Sequence, residues 1–100
     1  MPEFLYKVQL VRKDLLVTGP TEAEQAITAE HLAYLKELHA KGVVIFVGRT
    51  LTTDENTMGL AVFRAESEDA ARQIMNGDPA VKEGLMTATL YPFKVVLQGN

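Results

Sequence analysis

His31 and Asp78 are the two side chains whose types and settings could carry proton chemistry. The segment AITAEHLAYLKELHAKG reads as a helix, and at 100° per residue Ile27, His31, Tyr34, Leu35 and Leu38 fall within one narrow arc. His31 therefore sits mid-stripe, where leucine would be the ordinary apolar choice. A titratable ring turned toward a core needs a hydrogen-bond partner there, or it loses solvation without return. Two readings follow. The ring is either a neutral core histidine bonded to a backbone carbonyl, or it pairs with a carboxylate. A carboxylate on one ring nitrogen fixes the tautomer and raises the basicity of the other nitrogen, which suits general acid–base work. Asp78 is the best such carboxylate. Followed by Pro79, it also reads as a helix N-cap. One oxygen can cap while the other accepts from the histidine, so the two roles are compatible. Spacing alone leaves open whether they meet.

The remaining candidates are few. Tyr34 lies one turn beyond His31 on the same face and reads as core filler or as a pocket wall. Tyr6 carries the same two readings on the first strand. His39 lies about 80° around the helix from His31 and reads as a surface residue near the helix end. Two histidines eight apart, without a tight carboxylate cluster, make a poor metal site, and none is assigned. Ser67 and Thr28 read as caps. Gly-x-Ser-x-Gly and glycine-rich phosphate loops are absent from the sequence, and no cofactor is expected.

The elements that must position these groups follow from periodicity and punctuation. Phe4, Tyr6, Val8 and Leu10 alternate with Leu5, Lys7, Gln9 and Val11, the period of a strand. A loop through Arg12–Pro20 follows. Its Leu15-Leu16-Val17 is apolar enough to pack under the domain or to meet a partner chain. Thr21 with Glu24 forms a capping-box pattern that starts a helix near residue 21. That helix can break or restart at Thr28 and ends at Gly42. Val43–Val47 is a continuous β-branched and aromatic run, which predicts a strand buried on both faces. A third strand spans Met58–Ala65. Ser67-Glu68-Asp69 opens a second helix, with carboxylates favourably placed in its first turn. Asp78–Lys82 makes one short turn. The last strand runs from about Leu85 to Leu97 with Pro92 inside it, so it is bent or lies at an edge.

The order β-α-β-β-α-β predicts an α+β, ferredoxin-like fold with an antiparallel sheet and both helices on one face. The opposite face, with Phe4, Tyr6 and Val8 taken as its contributors, would be bare in a monomer. Apolar faces of that size rarely stay in water, which predicts a sheet-to-sheet homodimer.

One hundred residues make a single domain, 1–100, and 47% hydrophobic content is ordinary globular material. A net charge of −3 and ten scattered basic residues argue against nucleic acid. With no cysteine, disulfides and thiol chemistry are excluded. No cationic start runs into an apolar stretch, and no apolar run is long enough for a membrane span. A cytoplasmic location is the expectation.

The stretches HLAYLKELHAKGVVIFVG, MGLAVFRAES and EDAARQIMNGDPAVKEGLMTATLYPF, in that order and spacing, resemble the YCII-related family from Phe4 to Leu97. The resemblance implies the dimeric α+β barrel superfamily and a homodimer, with room for a higher oligomer. It also implies a His–Asp pair that maps onto His31 and Asp78, beside a pocket in each subunit. The nearest catalytic precedent it offers is a dehalogenating enzyme acting on chlorinated hydroxyquinones. Gly48 fits the family turn after the second strand. Arg49 stands where the family often has proline, and reads as a solvent-facing side chain or as an anion contact. Together these imply proton-transfer chemistry on a small, anionic or phenolic organic molecule: isomerisation, lactone chemistry or elimination. Tyr34, Tyr6, Gly48 and Arg49 would be its binding residues. The competing reading is a non-catalytic ligand-binding or assembly module with a structural His–Asp pair.

Overall fold

The computed structural model describes residues 1–99. Strand β1 (Glu3–Leu10) is followed by a one-turn helix α1 (Leu15–Thr18) and the long helix α2 (Glu22–Ala40). Strands β2 (Val44–Arg49) and β3 (Gly59–Arg64), helices α3 (Glu68–Gly77) and α4 (Pro79–Lys82), and strand β4 (Met86–Phe93) complete the chain. The strands form one antiparallel sheet in the order β2-β3-β1-β4, the ferredoxin-like plan.

The caps form where the sequence placed them. Thr21 accepts from the Glu24 N–H at 3.1 Å, and Glu24 accepts from the Thr21 N–H at 2.9 Å, a closed capping box. Ser67 accepts from the Ala70 N–H at the start of α3. The chain leaves α2 through Gly42 at φ +78°, a conformation other residues rarely adopt. Thr28 does not break α2: its hydroxyl donates to the Glu24 carbonyl one turn back, and the helix runs on.

The Arg12–Pro20 segment holds the unforeseen helix α1, tied to α2 by one side chain. The Arg12 guanidinium donates to both Glu24 oxygens at 3.1 and 2.6 Å, to Thr18 Oγ1 at 2.8 Å and to the Gly19 carbonyl at 2.9 Å. Its hydrogen bonds are the main reason that the Glu24 carboxyl is held down to about 2 from an ordinary 4.5. A depressed carboxyl stabilises the fold above its unfolded value, and that contribution is lost as pH falls toward the folded one. The stability gap between wild type and Glu24→Gln, measured by thermal melting, should therefore be full above pH 4.5 and close between about pH 4.5 and 2. A gap independent of pH would remove this role from the Arg12–Glu24 pair.

Phe4, Tyr6 and Val8 are buried on the helix side of the sheet, in one cluster with Leu35, Phe63, Ala71 and Met75. They do not feed the open face, as the alternation had suggested. Both alternating sets of β1 contain apolar residues, and the larger, more aromatic set belongs under the helices. The open face is built by the other parity: Tyr91, Leu5, Val62 and Phe46 form one row across all four strands.

Strand β2 also departs from expectation. It is an edge strand, with only Val44 buried, so the apolar run Val43–Val47 does not mark a strand covered on both faces. A register shift between Val44 and Phe46 doubles the reason. Val44 opposes Phe63 on the helix side, then one extra residue is inserted, and Val47 and Arg49 oppose Ala61 and Gly59 on that same side. Strand β4 is the other edge, which accommodates Pro92, and it stops at Phe93 short of Leu97.

Candidate active site

Asp78 occupies the joint between α3 and α4 and its side chain is 0% exposed. Pro79 supplies the fixed first helical residue of α4, and the carboxylate Oδ1 accepts the orphan N–H of Ala80 at 3.0 Å. Across the core, His31 Nδ1 lies 2.7 Å from Oδ1 and 2.8 Å from Oδ2, and the Tyr6 hydroxyl donates to Oδ2 at 2.7 Å. One carboxylate thus joins α2, β1 and α4, with both proposed functions of Asp78, cap and histidine partner, present at once. Among the described residues no buried side-chain nitrogen or oxygen lacks a partner.

Burial, and next the charge of Asp78, push the Tyr6 phenol well above its ordinary range. Tyr6 is therefore a permanent donor to the carboxylate. An ionised carboxylate only accepts, so the proton shared with His31 belongs on Nδ1. In the neutral form of the ring Nε2 is then an acceptor, and it has no protein partner among the described residues.

His31 also borders a hollow. His31 is 16% exposed and lines a cavity of about 490 Å³ between α2, α1 and the helix side of the sheet. The walls are mostly apolar, with Leu15 and Leu16 from α1, Leu32 from α2, and Val47 from β2. This size lies in the range of small-molecule sites. Leu15 is half-buried against the domain, while Leu16, at the cavity rim, and Val17 are exposed. Tyr6, Gly48 and Arg49 line the cavity with His31. Tyr34 does not. Its hydroxyl donates to the Ile74 carbonyl at 2.8 Å, and its ring stands so close to Gly77 that a Cβ there would meet the hydroxyl at 2.9 Å. The position one helical turn past His31 ties α2 to α3 through that hydrogen bond. His39 is exposed, as expected. Among the described residues no cluster of three or more His, Asp or Glu could hold a metal.

The YCII-related domain pattern matches residues 6–94, nearly the whole chain and the whole of this site. The chain belongs to the YCII-related family. No curated protein sequence matches it. Among solved structures it is similar to 5-chloro-2-hydroxyhydroquinone dehydrochlorinase (TftG) from Burkholderia phenoliruptrix, in complex with 2,5-dihydroxybenzoquinone. The identity is 26%, over 92% of this chain and 93% of that one, with a TM-score of 0.69. A muconolactone isomerase shares the fold at 13% identity over 98% of each chain, with a TM-score of 0.67.

In this YCII-related domain two features of the site lay beyond sequence reasoning. Tyr6 belongs to the His–Asp network through its hydroxyl. The available signal was a phenol on the aromatic face of β1, since a buried Tyr O–H needs a partner. The placement of the exposed Arg49 on the cavity side of the sheet carried no local signal, because the inserted residue in β2 is a matter of pairing.

Proposed function

We propose that this YCII-related protein is a homodimeric enzyme that moves protons on a small cyclic organic molecule, with His31 as general acid–base and Asp78 as its positioning residue. The observation that carries this reading is the division of His31. One ring nitrogen is held by a fully buried carboxylate, and the other is left without a protein partner beside a 490 Å³ apolar cavity. Nε2 would take a proton from an acidic C–H or O–H, and Asp78 would stabilise the imidazolium so formed. Returning that proton to another carbon isomerises the substrate. In an elimination one hydroxyl proton moves to the chlorine-bearing carbon, giving the keto tautomer; His31 then takes a second hydroxyl proton while chloride departs with the C–Cl electron pair, so a chlorinated hydroxyhydroquinone would yield a hydroxyquinone without an external oxidant. The similarity to a dehydrochlorinase that holds a hydroxyquinone favours this second course. The test is chloride release from 5-chloro-2-hydroxyhydroquinone by wild type and by His31→Gln. Turnover that His31→Gln abolishes supports the assignment, and turnover indifferent to it removes His31 from the chemistry.

The open sheet face supports the homodimer. Phe46, Tyr91 and Phe93 are 47%, 42% and 41% exposed there, alongside Leu5 in the Tyr91–Leu5–Val62–Phe46 row. Val62 is already 0% exposed in the single chain, and a self-complementary two-fold contact would cover the exposed members of the row in both copies. Sedimentation at micromolar concentration should give twice the 11.0 kDa chain mass, and Phe46→Glu should give the single chain. A wild-type monomer would overturn this part of the proposal.

A second reading, a binding module without turnover, is favoured by one observation: Asp78 also caps α4, so the carboxylate would be needed for folding in any case. Ligand binding in the cavity that survives His31→Gln, with no turnover by wild type, would select it.

A further inference from the structure

Arg49 sits on the last residue of an edge strand, where a side chain normally points to water. The inserted residue between Val44 and Phe46 changes that. With regular alternation from Val44, the helix side of β2 would receive Phe46 and Gly48 and the open face Arg49. The insertion exchanges the two sets, so Val47 and Arg49, both still exposed, lie on the cavity side and line its open rim, and Phe46 lies on the opposite face. Bulges commonly re-aim a side chain in this way next to sites.

Arg49 opposes Gly59, which in turn opposes Val8 of β1, one pleat from the Val47–Ala61–Tyr6 row. Gly59 leaves the floor between Arg49 and Val8 without a side chain, and a Cβ there would press on Val8 Cγ2 at 3.0 Å. By strand spacing, the Cα atoms of Arg49 and Tyr6 are on the order of 12 Å apart, about the reach of a substituted ring plus the two side chains that would hold it.

The polar groups of the cavity narrow the occupant further. The Tyr6 hydroxyl is donated to Asp78, that of Thr28 to the Glu24 carbonyl, and that of Thr57 to the Thr52 carbonyl. Alternation turns the Gln9 side chain to the opposite face. Two uncommitted groups remain: His31 Nε2, an acceptor, and the Arg49 guanidinium. Arg49 makes no ion pair among the described residues, although Asp54 and Glu55 line a small hollow beside Leu16 and Thr57.

We infer that Arg49 is the specificity determinant of this cavity, holding the carboxylate or phenolate of an amphipathic ring substrate whose acidic hydrogen faces His31. The inference rests on the proposed role of the cavity as the substrate site. The cation offsets the buried Asp78 charge that would otherwise repel an anion, and its planar fork can accept two oxygens at once. A neutral ring would gain only the apolar walls.

The test uses 2-naphthoate and its uncharged amide, titrated into wild type, Arg49→Gln and Arg49→Lys and followed by the NMR signals of the Leu15, Leu16 and Leu32 methyls. Naphthoate should bind wild type roughly five- to tenfold more tightly than the amide, the size of one partly exposed charge-assisted contact. Arg49→Gln should erase that preference without changing amide affinity, and Arg49→Lys should keep part of it. Equal binding of the two probes, unaffected by Arg49→Gln, overturns the anchor and leaves the cavity standing as a site. If neither probe moves the cavity methyls, the cavity reading fails and the anchor with it.

Discussion

Replacing Asp78 by alanine should destabilise the folded protein by roughly 3–5 kcal/mol, the range for breaking a buried charged hydrogen-bond network. The Tyr6 hydroxyl, the His31 Nδ1–H and the Ala80 N–H all converge on this one carboxylate. Alanine would strand three donors, two of them in the core, and remove the cap of α4, itself worth about 1 kcal/mol. In a chain of this length the melting midpoint should fall on the order of 15–25 °C. Asparagine separates the structural share from the orienting share. It caps helices about as well as aspartate and fits the same space, so Asp78→Asn should cost only about 1–2 kcal/mol. Its amide N–H would, however, favour a ring with Nδ1 bare and the proton on Nε2, the wrong tautomer for a base facing the cavity. Asp78→Asn should thus fold and lose turnover. An alanine variant within about 0.5 kcal/mol of wild type, by chemical denaturation, would show that the network does not hold α2, β1 and α4 together.

The second large effect is on rate. His31→Gln keeps a donor that can reach Asp78, so the fold should persist with a loss of about 1–2 kcal/mol. A glutamine amide cannot accept and return a proton at neutral pH. The variant's kcat should fall by about 10²–10⁴, the usual worth of a positioned general base, while KM changes little because the other lining side chains are unchanged. The ratio of kcat to KM effects is the informative reading. A loss confined to KM would make His31 a binding group, and equal losses in His31→Gln and in the folded Asp78→Asn would show the pair acting as a unit.

Much of this architecture is written in local chemistry. Thr21 with Glu24, Ser67, and Asp78 before Pro79 each start a helix because their side chains satisfy N–H groups that the helix cannot. The 3.6-residue period of α2 placed His31 on the inner stripe before any contact was known, and the strand–helix order selected the ferredoxin-like sheet. The β1 alternation was equally visible. Its sidedness was not: Leu5 and Tyr6 both qualify as buried residues, and only the helices packed above the sheet choose between the two parities.

What remained for the folded molecule to decide was every relation between distant segments. His31 and Asp78 are 47 positions apart, and neither residue's neighbours encode the 2.7 Å contact; the resemblance to a family suggested the pair, and the packing of α4 under α2 makes it. The insertion in β2 that puts Arg49 on the cavity side, the Tyr6 hydroxyl seated on Asp78, and the diversion of Tyr34 to the Ile74 carbonyl belong to the same class. The reason is common to all four. Capping and periodicity are settled within one or two turns of backbone, whereas strand register and core hydrogen bonds are chosen by competition among all surfaces that meet in three dimensions.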